Sequence, residues 1–119
     1  APKPVRSGVV TPQTSAQIIE MTRTALKEST AVANYMRPGY NVGGKTGTSQ
    51  IIDTNTGKYT DANTIGSYLG FGGDELPRYV IMVRVDDSKL AGYSGSAAAA
   101  PIFGEISNGL IDYYNIKPM

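Results

Sequence analysis

The residues with the most chemical content lie between positions 39 and 50, where Lys45, Thr46 and Thr48 stand among Gly39, Gly43, Gly44 and Gly47. Two patterns fit this stretch. Gly39 through Thr46 matches Gly-x-x-x-x-Gly-Lys-[Ser/Thr], in which backbone N–H groups cradle phosphates, Lys45 reaches the outer ones and Thr46 holds magnesium. Residues 80–86 would then be the strand that ends in a magnesium-binding carboxylate, Asp86. In the second pattern Lys45-Thr46-Gly47 lies on a strand. Residues two apart share a face there, so Thr46 and Thr48 alternate with Lys45 and Gly47 along the edge.

The two patterns demand different surroundings. A phosphate cradle needs a buried strand before Gly39 and a helix opening at Lys45. Asn34-Tyr35-Met36-Arg37-Pro38 is no buried strand, and Gly47 would cost about 1 kcal/mol inside a helix. Such a domain also wants a parallel sheet built from repeated crossovers, for which the chain has too few helical segments. The strand pattern is the better fit.

The elements that must hold this strand follow from periodicity. Residues 5–10 are short and partly β-branched, and they run into Thr11 and Pro12, an N-cap followed by proline at the first helical position. Ile18, Met21, Thr22, Ala25 and Leu26 then fall at helical spacing, opposite Glu20, Arg23, Thr24 and Lys27. Arg37-Pro38-Gly39-Tyr40 is a turn signature, and a strand is expected over 42–52. A polar turn over 53–58 leads to a half-buried strand in which Ile65, Ser67, Leu69 and Phe71 alternate with Gly66, Tyr68, Gly70 and Gly72. In residues 78–86, Tyr79, Ile81, Val83 and Val85 share a face. These last three strands read as one antiparallel meander. Phe103, Ile106, Leu110 and Tyr113 make a final amphipathic helix, whose start near Ala100 keeps Pro101 in the first turn. The expected order is strand, helix, three strands, helix. That is an α+β fold, an antiparallel sheet packed against helices.

Residues 42–50, Val42-Gly43-Gly44-Lys45-Thr46-Gly47-Thr48-Ser49-Gln50, resemble the Lys-Thr-Gly strand of the class B penicillin-binding proteins, the cell-wall transpeptidases of elongation and division. Ser67 to Phe71 and Arg78 to Val83 look like that family's next two strands, and Tyr93 to Phe103 looks like the entry to its final helix. The sequence departs at Gly43 and Ser49, where alanine is commoner, but both residues are small. The resemblance implies a partial penicillin-binding/β-lactamase-like transpeptidase fold. It makes residues 1–119 a single, incomplete domain, the C-terminal portion of a serine-type D,D-transpeptidase that cross-links stem peptides through an acyl-serine. It further implies that Lys45 supplies positive potential and that the Thr46 and Thr48 hydroxyls bind the substrate's terminal carboxylate. The Thr48 N–H would be an oxyanion donor, and Gly47 would let a stem peptide or β-lactam lie along the strand.

The family's nucleophile sits in Ser-x-x-Lys and a second group in Ser-x-Asn, and neither occurs at any serine here. The nearest spacing, Thr24-Ala25-Leu26-Lys27, is mid-helix with Thr24 on the polar face, so Thr24 is a surface residue and no nucleophile. The fragment is therefore expected to supply the strand, lack the nucleophile and be inactive alone. Tyr40, Tyr59, Tyr68 and the loop from Ser94 to Ser96 could border the cleft, but the tyrosines read rather as strand-face packing, and all are left out of the site.

Composition narrows the alternatives. Eleven basic and ten acidic residues give a net charge of +1, with no basic stripe to neutralise phosphates, so nucleic acid is not expected as a partner. Cysteine and histidine are both absent, which excludes disulfides, thiolate metal sites and a Ser-His-Asp triad; no cofactor or metal is expected. The longest apolar run, residues 97–103, is far shorter than the ~20 residues that span a bilayer. The chain has no initiator Met and no signal-peptide core, and is expected to start inside a longer protein. The resemblance then places it on the extracytoplasmic face of a bacterial membrane, anchored by an N-terminal segment not present here. Its partners would be peptidoglycan stem peptides, β-lactams and the missing N-terminal part of its own domain, with self-association through uncovered apolar surface and strand edges. The competing reading is a non-catalytic module that binds peptidoglycan or a protein, and the phosphate cradle comes last.

Overall fold

A computed structural model describes residues 3–86 and 94–119. Helix α1 spans Pro12–Glu28. Thr11 caps it as the sequence indicates: its Oγ1 accepts from the Thr14 N–H at 3.1 Å, and Pro12 occupies the first turn, where its missing N–H costs nothing. A four-residue helix, α2 (Thr30–Ala33), follows at once and was not foreseen. It turns the chain so that Val32 and Met36 enter the core.

Three antiparallel strands follow: β1 (Asn41–Ile52), β2 (Tyr59–Gly73) and β3 (Pro77–Asp86), in the sheet order β1-β2-β3. The β1–β2 turn is built as its polar residues demand. Asp53 Oδ1 accepts from Asn55 N–H at 2.8 Å, Gly57 N–H donates to the Asp53 carbonyl at 2.7 Å, and Gly57 takes a φ of 68°. Register pairs Thr46 with Tyr68 and Tyr68 with Val83, so one face carries Gly44, Thr46, Gly70, Tyr68, Ile81 and Val83. Helix α3 (Ala100–Tyr113) packs on that face, its Phe103 ring 4.6 Å from the Tyr68 ring. Gly70 makes the approach possible, since a Cβ there would stand 2.5 Å from Phe103. Leu26, Val32, Met36, Val42, Ile111 and Ile116 complete the core.

Three expectations are corrected. Residues 5–10 form no strand; Val5, Val9 and Val10 are exposed, and no ladder partner among the described residues holds them. In α1 the buried side chain is Leu26, while Ile18 and Met21 are exposed, because among the strands the helix rests mainly on β1 and presents a narrow side to it. In α3 the inward stripe is Ala100, Phe103, Gly104, Ser107 and Ile111, leaving Ile106 and Tyr113 outside. Small residues form that stripe because the helix lies close: a Cβ on Gly104 would meet the Tyr35 carbonyl at 2.5 Å, and the Ser107 and Tyr79 hydroxyls share a hydrogen bond of 2.9 Å.

The last helix begins at Ala100, as expected, but an unforeseen turn leads into it. A widened π-type turn, Gly95–Ala99, precedes α3, capped by Ser94 Oγ, which accepts from Ala97 N–H at 3.2 Å. Pro101 has no N–H to continue an ordinary α-ladder, and the widened turn accommodates it.

Candidate functional site

β1 positions the predicted residues. Lys45 opposes Leu69 and Thr46 opposes Tyr68, so their Cβ atoms leave opposite faces, as strand alternation requires. They nevertheless meet. The Lys45 stem wraps the outer edge of β1 and its Nζ donates to Thr46 Oγ1 at 3.0 Å and to the Thr46 carbonyl at 3.1 Å. Lys45 is exposed and Thr46 half-buried, so the ammonium stays in water while the hydroxyl is held.

Thr48 lies one pleat further along, exposed. Its Oγ1 accepts the Gly95 N–H at 3.2 Å. Gly47 sits against Ser67, whose Oγ would be 2.5 Å from a Cβ at that position, so its side of the strand is already crowded. The result is an edge bearing an ammonium and two hydroxyls, both of whose oxygens already accept a hydrogen bond. A hydroxyl has one proton, so each threonine is left with that proton to donate.

A cavity of about 130 Å³ lies beside this edge, lined in part by Leu26, Ser29, Val32, Lys45, Thr46 and Tyr68. Tyr68 is 1 % exposed and its hydroxyl has no partner among the described residues, and burial pushes its pKa up to about 12. A larger groove of about 620 Å³ between α1 and the turn before β1 includes Arg23, Lys27, Arg37 and Tyr40, away from Lys45 and Thr48. No helix opens at Lys45, so the phosphate-cradle pattern lacks the element it needs.

The structure brings Lys45, Thr46, Gly47 and Thr48 onto one edge, and leaves Thr24 exposed on α1. Of the residues assigned to packing, Tyr68 is in the core and Tyr40 packs against it, whereas Tyr59 is exposed. The loop beginning at Ser94, which sequence reasoning left out of the site, touches Thr48 directly. The available signal was Ser94 itself, a capping residue three positions before Ala97.

Residues 1–108 match the family model of the penicillin binding protein transpeptidase domain, and the chain belongs to that family. It is 37% identical over 110 residues to the stage V sporulation protein D of Bacillus subtilis, covering 92% of this chain and 17% of that protein. It is 32% identical over 80 residues to the probable peptidoglycan D,D-transpeptidase PenA of Neisseria flavescens, covering 67% of this chain and 20% of the relative. The crystal structure of penicillin binding protein 3 from Mycobacterium tuberculosis, complexed with aztreonam, superposes with a TM-score of 0.84 at 28% identity, over 100% of this chain and 28% of that one. The chain thus spans about a fifth or less of the curated relatives named here. The resemblance drawn from residues 42–50 and the α+β transpeptidase-like fold are both borne out.

Proposed function

We propose that residues 1–119 are the C-terminal part of a peptidoglycan D,D-transpeptidase domain, a single incomplete domain that supplies the wall of the cleft where a stem peptide's terminal carboxylate binds. The observation that carries this reading is the polarity of the edge. The Lys45 ammonium and the Thr46 and Thr48 hydroxyls present donors, and a carboxylate is an acceptor only. A stem-peptide backbone is assigned to the Gly47 stretch of the strand, which carries no side chain of its own, and the Thr48 N–H is assigned to the oxyanion.

The chemistry runs through a serine supplied by the rest of the domain. Its Oγ attacks the carbonyl carbon of the penultimate D-alanine; the C–O bond forms, the C–N bond breaks, and the serine proton leaves on the departing amine of the terminal D-alanine. An amine from a neighbouring stem then attacks the ester, forming the cross-link and returning a proton to the serine. A β-lactam carbonyl accepts the same attack, but its leaving nitrogen stays tethered. Lys45 and the two threonines hold the ligand's carboxylate so that its carbonyl meets the nucleophile. Such a reaction belongs on the extracytoplasmic face of a bacterial membrane, with an anchor outside these residues.

The test is covalent labelling of the complete domain by a fluorescent penicillin. Labelling that falls when Lys45 is replaced supports the reading, with the 119-residue chain alone unlabelled. A complete, folded domain that takes no label sinks it.

A further inference from the structure

We propose that Gly95 is a positioning residue for Thr48, fixing which way that hydroxyl can donate. The inference rests on the carboxylate-binding reading of Thr48 and adds to it a control outside the strand.

Gly95 is buried where the last helix begins, at the junction of β1 and β2. Its N–H donates to Thr48 Oγ1 at 3.2 Å. A Cβ on Gly95 would run into the Ser67 carbonyl oxygen, and would stand 2.6 Å from the Gly47 carbonyl oxygen and 3.0 Å from the Gly47 nitrogen. All three are backbone atoms, so no side-chain rotation relieves the contact. The neighbouring Ser94 carbonyl rests equally close to β2, 2.9 Å from where a Cβ on Gly66 would be. Gly47 pairs with Ser67 and Thr48 with Gly66, so the loop is keyed into the rungs that carry the site.

The consequence is a constraint on one proton. Thr48 Oγ1 has two lone pairs and one hydrogen. With one lone pair held from the Gly95 side, the hydroxyl cannot turn its proton there, and the O–H is left aimed at the exposed side of β1. A carboxylate arriving along the strand meets a donor already oriented, with no rotor to freeze on binding. Any side chain at position 95 pushes the helix start off β1 and releases the rotor, even though residue 95 touches no ligand.

The test uses the complete domain and the second-order rate of acylation by a fluorescent penicillin, with Gly95→Ala, Thr48→Val, Thr48→Ser and the Gly95→Ala/Thr48→Val double variant. Gly95→Ala is expected to slow acylation on the order of tenfold, the scale of one charge-assisted hydrogen bond. Thr48→Ser, which keeps the hydroxyl that accepts from Gly95, should lose less rate than Thr48→Val, and the double variant should be no slower than Thr48→Val. Multiplying losses would mean that the two residues act separately, and would overturn the inference. Wild-type rates in Gly95→Ala would overturn it while leaving the transpeptidase reading intact, whereas an unlabelled wild-type domain overturns both. If Gly95→Ala does not fold, amide exchange at Gly95 decides. Protection in wild type and Thr48→Ser but not in Thr48→Val supports the link, and equal protection in all three refutes it.

Discussion

Lys45 and Thr46 leave opposite faces of a strand yet share a hydrogen bond, and the reason is the lysine stem, long enough to wrap the edge. Replacing Lys45 by Met keeps most of that stem and removes every donor. Acylation of the complete domain should fall on the order of tenfold or more. The thermal midpoint should barely move, because exposed substitutions of this kind stay within about 0.5 kcal/mol; a collapse of stability would make Lys45 a structural residue instead. Tyr68 is the opposite case, buried against Phe103 with an unpartnered hydroxyl among the described residues. Its folded pKa is pushed up to about 12 by burial, above the ordinary value of about 10. The neutral phenol is the form the fold favours, so its contribution to stability is whole below about pH 10 and is lost as pH rises toward the folded value. Tyr68→Phe removes the buried hydroxyl and should leave the protein equally or more stable, by up to roughly 1 kcal/mol, with alkaline unfolding shifted upward. A clear loss in urea denaturation would mean that the hydroxyl has a partner.

At the scale of elements, α3 is tied to the turn before β1 by polar contacts as well as by packing. Arg37 grips Asp112 with two hydrogen bonds, 2.6 and 3.1 Å, while Asn108 accepts from Arg37 N–H and donates to the Tyr35 carbonyl. The hydrogen bonds from Arg37 hold the Asp112 carboxyl below its ordinary range. A depressed folded pKa contributes stability above the unfolded value and loses it as pH falls through the folded one. Asp112→Asn should therefore lower the melting temperature at neutral pH, and the gap to wild type should close in acid, below the usual carboxylate range. A gap that persists at low pH would point to packing rather than charge. The sequence foretold α1 through its Thr11 cap, the β1–β2 turn through Asp53 and Gly57, and the strand that carries Lys45 to Thr48, because those signals are local. The α3 stripe was misread because helical periodicity was weighed by apolar size, whereas Gly104 and Ser107 face inward to let the helix come close. The contact between Gly95 and Thr48 joins residues 47 apart in sequence, a pairing that no local pattern encodes.

The molecule as a whole is less compact than its length allows. Its radius of gyration is 16.0 Å, against about 13.5 Å for a compact domain of this size. The sheet is covered by α3 on one face, while the other presents Leu69, Val80 and Met82 at 53%, 71% and 59% exposure, and β3 is an edge strand. An apolar face beside an open edge is a template for pairing with another copy. The 119-residue chain should accordingly gain mass with concentration in light scattering, and Val80→Lys with Met82→Lys should suppress this by charging the patch. A wild-type mass that stays monomeric at every concentration refutes the idea. The same double variant separates two accounts of that face. If the remainder of a transpeptidase domain covers it, the two lysines would be driven into an apolar interface, and the complete domain should lose stability or fail to fold. If the face is solvated in the complete domain too, the substitutions should be nearly neutral there. Opposite signs in the short chain and the complete domain are thus the outcome that the incomplete-domain reading requires.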